Sequence, residues 1–143
     1  MIVRIAWIED DTPIIDPVVF LIERAGYQVH RYVSFADAIG NKDAILGSDL
    51  ILLDIIIPND GPALSATPYL GLVLVEELYS VSIKEGRSFP PVLILSAVSR
   101  ERVVRDFKDK YSDKIKLQHL RKPVLPSILK ERVDQILADA KGG

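Results

Sequence analysis

Two runs, Leu50–Leu53 and Val92–Leu95, are apolar at every position. A strand with one wet face alternates apolar and polar residues. A run with no alternation is covered on both faces, as in the interior of a parallel sheet clothed by helices. Val3–Ile8, Gln28–Val33 and the weaker Leu117–Arg121 add three β-branched or mixed runs. Between them lie helical patterns. After Pro13, Ile15, Val18, Val19 and Ile22 repeat at i, i+3, i+4, i+7, and Gly26 follows as a stop; Pro17 falls close enough to the helix start to be tolerated. Phe35–Leu46 reads as a weaker helix and Gly71–Tyr79 as a well-buried one. Arg100–Tyr111 carries Val103, Val104, Phe107 and Tyr111 on one stripe; Pro126–Ala138 carries Leu129, Val133, Ile136 and Leu137. Five β-α repeats in strict alternation predict right-handed crossovers and a parallel sheet with helices on both faces. Such sheets place their chemistry beyond the C-terminal ends of the strands.

Those ends carry polar residues. The first strand runs into Glu9-Asp10-Asp11, the third ends at Asp54, the fourth in Ser96-Ala97 and the fifth in Lys122-Pro123. In a parallel sheet all four sets share one edge. Carboxylates gathered there repel one another unless a cation intervenes, and oxygen ligands of this kind suit Mg²⁺, which keeps several waters and takes few protein ligands. Asp54 is then a nucleophile able to form an acyl phosphate. Phosphoryl transfer needs positioning and charge neutralisation, which Lys122 and the Ser96 hydroxyl can supply.

Composition removes competing chemistries. No cysteine is present, so thiolate metal sites, thiol catalysis and disulfides are excluded, and an intracellular location fits. A formal net charge of −2 offers no basic field for nucleic acid. No apolar run reaches the roughly 18 residues of a membrane span, and Met1–Trp7 lacks the marks of a signal peptide. The expectation is a soluble, cytoplasmic protein whose 48% hydrophobic residues suffice for one core.

The segments IAWIEDD, DLILLDIIIP, VLILSA and LRKP, in that order, resemble the blocks of the response-regulator receiver domain of two-component signalling. The likeness runs from about Ile2 to Leu137. It implies a flavodoxin-like (βα)5 fold with strand order 2-1-3-4-5, one domain over residues 1–140 and a short tail at 141–143. It implies that Asp54 is the phosphoacceptor. Asp10 is then the direct Mg²⁺ ligand and Glu9 acts through water, with Asp54 and the backbone carbonyl of Ile56 completing the protein's share of the shell. Ser96 matches the switch hydroxyl and Lys122 the family's lysine, and Pro123 follows a cis peptide bond. A histidine kinase or phosphotransfer protein is the expected donor. The expected product is a signalling phosphoprotein rather than an enzyme, one that at most promotes its own phosphorylation and dephosphorylation. The fourth helix and fifth strand are the expected face for a separate downstream partner, and homodimer formation stays open.

Three departures stand out. The loop Asn59–Leu70 is about nine residues longer than the family norm. His119 holds the position of the switch aromatic, where it needs a polar partner to act and brings pH sensitivity. Val124 replaces the usual phenylalanine. Each residue also has a plainer reading. Glu9–Asp11 can cap the first helix, His119 and His30 can be strand-face residues, Trp7 can be core packing, and the charges of Arg100–Asp106 can be a solvated face. The competing function is a pseudo-receiver that docks partners without phosphorylation. A phosphatase on a similar sheet is disfavoured, because Ile56 stands where its general acid is expected.

Overall fold

A computed structural model describes residues 2–10, 12–58 and 67–142; the side chains of residues 12–15, 98 and 142 lie outside that description. Five parallel strands, β1 (Arg4–Ile8), β2 (Gln28–Tyr32), β3 (Leu50–Asp54), β4 (Val92–Ala97) and β5 (Leu117–Lys122), form one sheet in the order β2-β1-β3-β4-β5. This is the flavodoxin-like doubly wound arrangement. Order reverses between β1 and β3, and both acidic strand ends lie at that reversal.

The apolar runs explain the layering. Alternate residues of each strand point to opposite faces. Ala6, Ile8, Ile51, Leu53 and Ile94 join a core with α2 (Phe35–Ile39), α3 (Lys42–Leu46), α4 (Leu70–Glu85) and α5 (Glu101–Tyr111). Ile5, Trp7, Leu50, Leu52, Leu93 and Leu95 join a second core with α1 (Thr12–Arg24) and α6 (Pro126–Gly142). Leu50, Ile51, Leu52 and Leu53 are all fully buried, so each contributes roughly 1.5–3 kcal/mol of apolar burial. The helical stripes behave as their spacing implies. Val18, Ile22, Val104, Phe107, Tyr111, Leu129, Val133, Ile136 and Leu137 are buried. Trp7 is core packing, 2% exposed. His30 is exposed on β2, the edge strand.

Three elements differ from the sequence expectation. Phe35–Leu46 is two helices rather than one. Ser34 caps α2, its Oγ accepting from the Asp37 N–H at 3.1 Å, and the Gly40 N–H closes the helix on the Ala36 carbonyl at 3.0 Å. Asn41 then opens α3 without a side-chain cap. The helix expected over Gly71–Tyr79 is α4, which runs on to Glu85 and ends where Gly86 adopts φ +65°, a left-handed cap that glycine adopts without strain. The last helix continues to Gly142. The long connection expected over Asn59–Leu70 lies outside the described residues at positions 59–66. Thr67–Tyr69 leads straight into α4, which begins at Leu70 itself. Asp11 also lies outside the described residues. No described helix is long and apolar enough to cross a membrane.

Candidate functional site

β1 delivers Glu9. Its backbone N–H donates to the Tyr32 carbonyl at 3.0 Å, continuing the ladder one residue beyond the strand and fixing the side chain at the sheet edge. Glu9 is only 2% exposed, while the neighbouring Asp10 faces solvent. β3 delivers Asp54, half-buried as the strand's last residue. The Ile56 N–H donates to Asp54 Oδ1 at 2.9 Å, a tight turn that holds one carboxylate oxygen in place. Oxygen atoms of Glu9, Asp10 and Asp54 all lie within 4.8 Å of one another.

β5 delivers the counter-charge. The register sets Asp54 opposite Leu95 and Lys122 opposite Ala97, so Lys122 starts two residues further along. That offset is roughly 6–7 Å, within reach of a lysine stem. The Lys122 ammonium bends back and donates to Glu9 Oε2 and Asp54 Oδ2, each at 2.8 Å. The Lys122–Pro123 peptide is cis.

The electrostatics follow from that geometry. Burial pushes the Glu9 carboxyl up to about 7; the bond to Lys122 works against the rise and the Asp54 carboxylate adds to it. Burial disfavours the Lys122 ammonium, but its bonds to Asp54 and Glu9 outweigh this and hold its pKa above the ordinary lysine value. Three carboxylates against one ammonium leave two negative charges when all are ionised. Glu9 Oε1 is buried with no hydrogen-bond partner among the described residues. An orphaned buried oxygen, two exposed or half-exposed carboxylates and a charge deficit of two form a donor set that fits a hard divalent cation.

Ser96 and His119 are brought together as well. Ser96, 2% exposed on β4, and the half-buried His119 on β5 share a hydrogen bond of 2.7 Å between Oγ and Nε2. Burial lowers the His119 pKa; Glu101 opposes that, and Lys108 and Arg121 reinforce it. Arg121 in turn pairs with Glu101, tying β5 to α5.

Sequence reasoning missed Gly71 as a site residue. Its N–H donates to the Ile55 carbonyl at 3.0 Å, and a Cβ there would stand 2.1 Å from the Asp54 carbonyl oxygen. The first turn of α4 therefore rests directly on the backbone of Asp54. The only signal was a glycine at a helix start that no turn required. The Arg100 guanidinium also lies 5.8 Å from the Tyr69 ring centroid, joining the residue before α4 to the turn that leads from β4 into α5.

No protein-family model and no curated protein sequence matches the chain. Solved structures do. A CheY-like response regulator receiver domain protein from Methanospirillum hungatei JF-1 superposes over 100% of both chains, with TM-score 0.71 and 20% identity. A beryllofluoride-activated DrrB receiver domain matches 96% of this chain and 99% of its own, with TM-score 0.68 and 19% identity. A protein described among streptococcal redox sensors evolved from two-component response regulators matches 97% of this chain and 52% of its own, with TM-score 0.73 and 17% identity. The chain therefore has the CheY-like receiver fold over its full length. Its acidic cluster is consistent with a phosphoacceptor site of that fold.

Proposed function

We propose that this chain is a phosphoacceptor receiver of a two-component phosphorelay, phosphorylated on Asp54 by a histidine kinase or phosphotransfer protein. The observation that carries the reading is the Lys122 ammonium, 2.8 Å from both Glu9 and Asp54 inside a cluster of three carboxylates at the sheet edge. A solvated capping turn does not need a half-buried lysine recruited from a strand two positions away.

An Asp54 carboxylate oxygen forms the new bond to phosphorus as the donor's N–P bond breaks, and the leaving imidazole nitrogen keeps the electron pair. Ile56 N–H orients the carboxylate through Oδ1. Lys122 balances the charge of the acyl phosphate, and the Ser96 hydroxyl is the donor for a phosphoryl oxygen. Glu9, Asp10, Asp54 and the Ile56 carbonyl would hold Mg²⁺, which supplies neutralisation of the phosphoryl oxygens. Phosphorylation shifts a two-state equilibrium, and the face of α5 and β5 presents the result to a separate partner.

Incubation with acetyl phosphate and Mg²⁺ tests this. Intact mass should show one added phosphoryl group, absent in Asp54→Asn. If neither acetyl phosphate nor beryllofluoride leaves any mark on mass or spectrum, the pseudo-receiver reading takes over. The Ser96–His119 bond favours that second reading where the Ser96 hydroxyl donates to His119 Nε2, because the proton a phosphoryl group would need is then occupied.

A further inference from the structure

The Ser96 hydroxyl has one proton and two claimants. At 2.7 Å from His119 Nε2, it either donates that proton to a ring lone pair or accepts a hydrogen bond from a ring N–H. The first arrangement belongs to a neutral ring with a bare Nε2. The second belongs to a ring that carries a proton on Nε2, as the imidazolium always does. A phosphoryl group on Asp54 offers only acceptors, so it can use Ser96 only if the hydroxyl proton is free. The neutral imidazole acceptor and the phosphoryl oxygens therefore compete for the same proton.

We infer that His119 is a positioning residue for Ser96, withholding the hydroxyl proton from the phosphoryl group while its Nε2 is bare and releasing it when the imidazole is protonated. This rests on the phosphoacceptor reading of Asp54. Both side chains sit on the sheet face that α5 covers. Of the charged groups around the ring, Glu101 of α5 favours the imidazolium, while Lys108 of α5 and Arg121 of β5 oppose it; Arg105 and Asp109 of α5 line the same depression. β4 presents Ile94 in register with His119 and only Ser96 as a polar neighbour. Burial, with Lys108 and Arg121, disfavours the imidazolium, and the neutral tautomer with a bare Nε2 is the withholding state. Coupling between two binding events is reciprocal. If protonation of His119 favours the phosphoryl–Ser96 contact, phosphorylation of Asp54 must favour protonation of His119.

The full chain is phosphorylated with acetyl phosphate and Mg²⁺, and decay of the phosphorylated mass is followed from about pH 4.5 to 8.5 (roughly two units either side of an ordinary histidine). The wild-type half-life, divided by that of His119→Phe at each pH, should rise by about threefold to tenfold toward the acid end, the span of one ordinary hydrogen bond. Ser96→Ala should abolish that rise, because His119 then has no hydroxyl to release. A merely structural His119 leaves the ratio flat. In parallel, ¹⁵N NMR of the wild type should show a higher His119 titration midpoint in the phosphorylated chain than in the unphosphorylated one. A flat ratio or an unmoved midpoint in a chain that does take up phosphate overturns this inference alone. Failure to take up phosphate at all overturns the phosphoacceptor reading, and the inference with it.

Discussion

Replacing Gly71 by alanine tests whether the start of α4 really bears on the acceptor strand. In an open helix the change is favourable, by about 1 kcal/mol of propensity. Here the new Cβ would lie 2.1 Å from the Asp54 carbonyl oxygen, 2.8 Å from Ile55 Cα and 3.0 Å from Asp54 C. All three are backbone atoms and cannot rotate away. Relief requires roughly 1.3 Å or more of separation between α4 and the end of β3 to restore ordinary contact. β3 is fixed by parallel pairing to β1 and β4, so α4 has to lift, loosening the buried Leu70, Leu72, Leu74 and Val75. Overpacking of this kind costs about 1–3 kcal/mol, and the lost Gly71–Ile55 hydrogen bond about 1 more. Net destabilisation by about 2 kcal/mol follows after the propensity gain is subtracted. The assay is the urea midpoint at unchanged m-value, with Gly40→Ala as control. A Cβ at Gly40 meets nothing closer than 3.4 Å, and its backbone is ordinary α, so its midpoint should barely move. Phosphoryl uptake from acetyl phosphate should also slow in the Gly71 variant, because a displaced Asp54 backbone misaims the nucleophile. A Gly71→Ala protein as stable as wild type, with unchanged uptake, would refute the close approach.

Other expectations follow from single contacts. Asp54→Asn removes the nucleophile and should abolish phosphoryl uptake while leaving the circular dichroism spectrum unchanged. Asp10→Ala should weaken Mg²⁺ binding by about tenfold or more in isothermal titration, since few protein ligands are available to replace it; normal affinity would remove Asp10 from the ligand set. Tyr27 donates to Asp134 Oδ1 at 2.7 Å, bridging the end of the α1–β2 turn to α6, and Tyr27→Phe should cost about 1 kcal/mol by urea denaturation. Burial works against the Asp134 carboxylate, but bonds from Lys130 and Tyr27 outweigh it and lower its pKa. A lowered carboxyl pKa stabilises the fold above the unfolded aspartate value, and that stability is lost as pH falls through the folded value. The gap between wild type and Tyr27→Phe should therefore close in strong acid; a gap of constant size would mean the hydroxyl contributes packing alone.

The layered sheet was legible because Leu50–Leu53 and Val92–Leu95 leave no polar residue on either face, the pattern of a strand roofed on both sides. The acidic edge was legible for a related reason, since Glu9 and Asp54 directly follow such strands. What escaped was in part local punctuation and in part contact between distant segments. Over Phe35–Leu46 the break is local: Gly40 closes α2 and Asn41 opens α3, a stop and start that a single-helix reading runs through. α4 outruns its apolar stretch because Ser80–Glu85 needs only a helix-compatible composition and a left-handed stop, which Gly86 provides. Ser96 and His119 lie 23 residues apart, and their bond exists only in the register that sets Ile94 beside His119 and Ser96 beside Arg121. Gly71 is the same case: its steric role needs the path of α4 over β3, which no spacing rule supplies.

These distant contacts share a direction. From Asp54 the backbone leads by one turn to Ile56 and by close approach to Gly71, so the first turn of α4 rests on the Asp54 backbone. On the other side, Lys122 ties Asp54 to the end of β5, the strand that also carries His119 and pairs with α5 through Arg121 and Glu101. A bulky charged group on Asp54 must therefore take Lys122 from one of its two carboxylates, and it meets Ser96 already engaged by His119. The lysine offers a long-range charge that tolerates small movements, while the hydroxyl offers one proton that is either free or not. The first can stabilise a phosphoryl group in any state of the chain. Only the second distinguishes two states, and in this chain it is governed from the α5 face by an imidazole that can itself be charged.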